Sequence, residues 1–144
     1  MQRHLVHRNK AGKSLMFSLD RWAPYALGVL RIVAALVFFE HGTQKLLGFP
    51  VRPGGGDGPA LFSIYWLGGV LELVGGALLV LGLFTRPVAF ILSGQMAVAY
   101  WFWHAPRSVY PLLNGGDAAV LYCFLFLYLV FAGPGAFALD KVRK

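Results

Sequence analysis

Charge is scarce in this chain. Charged residues make up 13% of its 144 positions, where soluble domains carry about 25%. There is one cysteine, Cys123, so no internal disulfide forms and no CxxC exists for dithiol redox chemistry or zinc. It lies inside an apolar run, the place of a small buried hydrophobe. No HxxxH or ExxH spacing occurs, and no metal is assigned. The run Gly54 to Gly58 lacks the lysine and the flanking strand and helix of a phosphate loop, and is read as linker. Alternation of apolar and polar residues is also missing from stretches such as Val88-Ala89-Phe90-Ile91-Leu92, which excludes the strands of a membrane barrel.

What the chain has in abundance is apolar residues, 58% of the total. A soluble domain this short has no interior large enough to hide them, whereas a bilayer accepts them as solvent-facing surface. The length allows one domain and no separate catalytic module. The formal charge of +7 sits at the chain ends and in short loops around long apolar runs, so nucleic acid is not an expected partner. The first 21 residues are polar and basic, and the apolar run after them begins late and carries Arg31. It is read as a retained first span and not a cleaved signal.

Four apolar runs are expected to be transmembrane helices, at about 22–47, 62–84, 87–103 and 117–133. A Gly- and Pro-rich loop from Gly48 to Pro59 follows the first, and Thr85-Arg86-Pro87 makes the turn after the second. Asp117 is expected to N-cap the fourth, which stops at Gly133-Pro134-Gly135 unless it resumes through Ala136–Leu139. Residues 1–21 form a basic segment, 22–140 the membrane domain and 141–144 a basic tail. Nine lysines and arginines (residues 3, 8, 10, 13, 21, 86, 141, 143 and 144) fall on one side, against Arg52, Arg107 and the boundary residue Lys45 on the other. The expected fold is therefore an all-α, four-transmembrane-helix bundle with both termini cytoplasmic.

Ionisable groups inside spans are costly and so mark candidate sites. Glu72 stands mid-span with Gly68, Gly75 and Gly76 at helical offsets, spacing that admits a close neighbour helix. Arg31, Phe38, Gly42 and Lys45 share one face of the first span, bordered by His41. Antiparallel packing is expected to set Glu72 in height between Arg31 and His41, within reach of either. An Arg31–Glu72 pair would be structural or part of a ligand or proton site, and Lys45 would join the site or snorkel to headgroups. Glu40 points away from this face. His41, Lys45, His104, Asn114 and Asp117 are expected to line a polar pocket at the outer end, roofed by Trp101, Trp103 and Tyr110.

These residues resemble the DoxX family of small bacterial and archaeal membrane proteins. The resemblance rests on Arg31, on His41-Gly42-x-x-Lys45-Leu46, on Leu71-Glu72-Leu73-x-Gly75-Gly76 and on Leu81-Gly82-Leu83-x-Thr85-Arg86. Asn114-Gly115-Gly116-Asp117, Gly133-Pro134-Gly135 and Leu139-Asp140 complete it. Two positions depart from the family pattern: Asp117 stands where Glu is usual, and Ala138 where Ser is frequent. The resemblance implies a four-helix fold in the cell (inner) membrane. It also implies an accessory subunit of a quinone-linked or stress-related oxidoreductase, anchoring a partner and helping to bind quinone. Neither an intrinsic cofactor nor independent catalysis is expected, and a homo-oligomer is compatible with it. Alternatives are a transporter or binder of a small lipophilic molecule that uses Glu72, and a purely structural scaffold. The topology is checked with reporter fusions. A periplasm-dependent reporter should be inactive at Lys144 and in the Arg86 turn, and active in the 48–59 loop.

Overall fold

A computed structural model describes residues 19–52 and 54–142 of the chain. The basic segment 1–21 therefore lies mostly outside the described residues, as do Arg143 and Lys144 of the tail. The fold is all-α. Helices α1 (Ala23–Leu47) and α2 (Ile64–Leu81) pack chiefly on each other. Helix α3 (Thr85–Ala99) runs on through a π-helical turn, Tyr100–His104. A single turn, α4 (Pro111–Asn114), leads into α5 (Asp117–Ala132), which packs on α3, and a 3-10 turn (Leu139–Lys141) closes the tail. By length and composition α1 and α2 are apolar and long enough to cross a membrane.

Local chemistry sets the helix ends and shortens the second expected run. The Ser63 hydroxyl accepts from Trp66 N at 3.1 Å as the N-cap of α2. Gly82 closes that helix in the left-handed region, at φ 63°, so it ends the helix and does not continue the glycine stripe around Glu72. Helix α3 begins earlier than expected because Asp140, far away in sequence, caps it: its carboxylate accepts from Phe84 N and Thr85 N, both at 2.8 Å. The expected cap of α5 is corrected. Gly116 is the N-cap, and Asp117 is the first helical residue and makes no capping bond. Nor does α5 resume after Gly133. Gly133 and Gly135, at φ 81° and 69°, turn the chain back against the start of α1.

The packing inverts that of a soluble protein. Val29, Leu30, Val33, Leu36 and Val37 of α1 are exposed, as are Phe124 and Phe131 of α5, whereas Arg31 and Glu72 are buried. An apolar belt of that extent belongs against lipid. Within it, a core of Ala35, Phe38, Leu79, Ala89, Leu92, Phe126 and Leu129 joins the four helices. The α1–α2 contact is close enough to need glycine: a Cβ on Gly42 would lie 2.5 Å from Leu73 N.

Arg31 corrects a further expectation, because it does not pair with Glu72. Fully buried, it spends all five of its N–H groups on backbone carbonyls. Nε donates to Pro134 O at 2.8 Å; Nη1 donates to Leu79 O and to Val80 O, the latter at 2.8 Å; Nη2 donates to Ala136 O at 3.1 Å and Phe137 O at 2.8 Å. Leu79 and Val80 lie in the last turn of α2, where the carbonyls carry partial negative charge. One guanidinium thus binds the end of α2 and the returning tail to α1. The approach is tight enough that a Cβ on Gly135 would lie 2.4 Å from Gly28 N. Arg31→Met should cost about 3–5 kcal/mol by stranding these carbonyls. Arg31→Lys, with fewer donors, should cost less. Unfolding of the purified proteins in mild detergent measures both.

Candidate functional site

Fourteen residues separate Arg31 from Lys45, about 21 Å along α1. The polar groups of the bundle therefore form two stations and not one continuous seam. At the far station the Lys45 ammonium lies 2.6 Å from Glu72 Oε1, and the pair is 29% and 3% exposed. Gly42, one turn before Lys45, lets α1 approach the α2 backbone at Glu72 and Leu73, which sets this height match. Lys45 is thus committed to Glu72 and does not simply reach for headgroups. Its ammonium also lies 5.6 Å from the centroid of the Tyr65 ring, whose edge contact with Trp103 carries the arrangement across to the π-helical turn.

Gln95 of α3 completes the pair, and sequence reasoning missed it. Its Nε2 donates to Gly68 O at 3.1 Å and to Glu72 Oε1 at 3.3 Å. Both amide hydrogens are used and both partners are acceptors, so this amide orientation is the one the hydrogen bonds demand. The signal was available: Gln95 is an amide inside the third apolar run, where uncharged polar groups carry the same desolvation cost as elsewhere in a membrane.

Above this triad lies a cavity of about 490 Å³ between α1, α2, α3 and α5, within the size range of small-molecule sites. Phe38, Leu71, Ile91, Met96 and Ala119 make its wall largely apolar. Its polar lining is His41, Lys45, Glu72, Gln95 and His104, with Tyr65 and Tyr122 beside them. The π-helical turn, closed by Ala105 N donating to Tyr100 O at 2.8 Å, inserts an extra residue ahead of His104. That turn delivers both Trp103 and His104 to the cavity. His104 Nδ1 lies 3.1 Å from Asn114 O. A carbonyl only accepts, so Nδ1 carries a hydrogen and donates this bond.

The other expected site residues are placed differently. His41 is exposed at the cavity mouth and meets the Tyr122 ring edge-on at 6.4 Å. Asn114 is buried beneath the loop, donating to Ser108 O at 2.6 Å and accepting from Gly116 N at 2.7 Å, so it shapes the entry to α5. Asp117 is exposed and is not part of the cavity wall. Of the expected roof only Trp103 borders the cavity, while Trp101 and Tyr110 face outward. Among the described residues no three His, Cys, Asp or Glu side chains converge to hold a metal ion. A broader crevice of about 790 Å³ at the Arg31 end is bordered by Arg86 and Asp140. Those two cap helices, Arg86 donating to Val130 O and Phe131 O and Asp140 accepting at the start of α3.

An apolar exterior, a buried arginine clasp and an internal pocket floored by an ion pair define a small multi-helix membrane protein. Comparison with known sequences gives the class its name. The chain belongs to the DoxX family, which it matches over residues 26–105. It is 50% identical over 129 residues to an uncharacterized protein of Haemophilus influenzae, covering 88% of this chain and 96% of that one. It is 31% identical over 135 residues to the Escherichia coli inner membrane protein YphA, covering 87% and 95%. A third relative, an uncharacterized membrane protein of Mycobacterium tuberculosis, is 29% identical over 143 residues, covering 82% of this chain and 81% of that one. No solved structure matches. The protein is one of the cell (inner) membrane.

The ion pair yields a stability prediction. Lys45→Met should cost about 3–5 kcal/mol, because it leaves the Glu72 carboxylate buried and alone. Adding Glu72→Leu should recover most of that loss. Unfolding of the single and double variants in mild detergent checks the sign of the coupling.

Proposed function

We propose that this protein is an accessory membrane subunit of a quinone-linked or stress-related oxidoreductase. In this reading it holds the head of a lipophilic, quinone-class molecule between its four helices. One observation carries it: an apolar cavity of about 490 Å³ whose polar groups converge from α1, α2 and α3 onto one buried carboxylate, Glu72. A quinone-class ligand has the matching form, a planar polar head on a lipid-soluble tail. Each of the four main helices crosses the bilayer in this arrangement, α3 with its π-helical extension, and the nine basic residues counted above hold both ends in the cytoplasm. Electrons come from a partner's cofactor, and the exposed apolar faces of the helices are where that partner or a second copy packs.

Solvent extraction of the protein purified in mild detergent, followed by chromatography of the lipophilic fraction, tests the reading. The unsubstituted protein should retain quinone-class molecules. The Lys45→Met/Glu72→Leu variant should retain none while remaining folded. Equal retention by both, or none by either together with no co-purifying redox enzyme, overturns the proposal.

A further inference from the structure

The hydrogen-bond inventory of the cavity floor is unbalanced: its buried atoms without a partner are both acceptors. Glu72 Oε1 accepts from Lys45 and Gln95. Glu72 Oε2 is buried with no partner, and so is Gln95 Oε1. Both residues border the cavity, and Glu72 is 3% exposed. As a carboxylate, Glu72 offers only acceptors. Gln95 cannot turn its amide to correct the deficit, because its two hydrogens would leave Gly68 O and Glu72 Oε1, and its oxygen would face them.

Buried acceptors left empty are costly, and a native site supplies donors to them. From this we infer that the occupant of the cavity brings hydroxyl donors. Within the quinone class, the site takes the reduced quinol in preference to the oxidised quinone. This inference rests on the function proposed above and specifies its ligand. A quinol hydroxyl donates to Glu72 Oε2 or Gln95 Oε1, and its oxygen can still accept one of the N–H groups left on Lys45. A quinone carbonyl only accepts. It satisfies Lys45 alone, leaves both orphaned oxygens empty, and sets a further electron-rich oxygen beside a carboxylate.

The test is isothermal titration of the unsubstituted protein in mild detergent under anaerobic conditions. The probes are a decyl-tailed benzoquinone, the quinol obtained by reducing it, and the dimethyl ether of that quinol. The quinol should bind about tenfold tighter than the quinone. The ether keeps the shape without the donors and should bind no better than the quinone. Glu72→Gln, which puts an amide donor where the empty acceptor was, should move the quinol-to-quinone ratio toward one. Gln95→Met removes the second acceptor without stranding Lys45 and should reduce the ratio in the same direction. If quinone and quinol bind equally, or quinone binds tighter, the donor inference fails while the quinone-site reading stands. If none of the three probes binds, both fall together.

Discussion

A bilayer offers no water to a stranded polar group, so every charge and every open carbonyl inside it has to be answered by the protein itself. The architecture of this small bundle follows from that constraint. Helix ends carry unpaired carbonyls and N–H groups by their geometry. Here residues distant in sequence answer them: Arg31 binds the end of α2, Arg86 the end of α5, and Asp140 the start of α3. The Arg86 and Asp140 contacts tie elements that are not neighbours in the chain, and Arg31 joins neighbouring α1 and α2 while also holding the returning tail. Apolar packing, weak as a driving force between helices in lipid, is thereby supplemented by directional bonds that permit one arrangement.

The cavity end obeys the same rule less completely. Lys45, Glu72 and Gln95 satisfy one another on one side only, and the remaining acceptors border an open volume. A saturated station and an unsaturated one thus stand about 21 Å apart on the same helix. Both contain a charged residue from α1, Arg31 fully buried and Lys45 partly so. Only one has hydrogen-bonding capacity left over.

Much of the fold was legible in the sequence, because a period of 3.6 and the length of each apolar run are properties of single segments. Turn chemistry at Gly48, Gly133 and Pro134 marked where helices stop. The cap on α3 was not legible, because Asp140 acts across more than fifty residues and carries no local signature. The site was half legible. Helical spacing placed Arg31, Gly42 and Lys45 on one face, and it was the correct face toward α2. Spacing fixes the direction around a helix but not the height at which a neighbour slides along it. The Arg31–Glu72 pairing was therefore wrong, and Lys45 took the carboxylate. Arg31's real partners were invisible for a deeper reason: they are backbone carbonyls, which every residue has and no letter of the sequence distinguishes. Gln95 carries no charge, so the cost of an ionisable group inside a span does not single it out.

The Arg31 clasp also imposes an order on biosynthesis. Arg31 belongs to α1, while three of its five acceptors, at Pro134, Ala136 and Phe137, come more than a hundred positions later in the chain. Until those residues emerge, the Arg31 guanidinium has only its two acceptors on α2, and its other three N–H groups are unanswered. The bundle cannot lock helix by helix as it is made. It closes once these residues are in place, and a chain released before Pro134 leaves the membrane holding an arginine with too few acceptors.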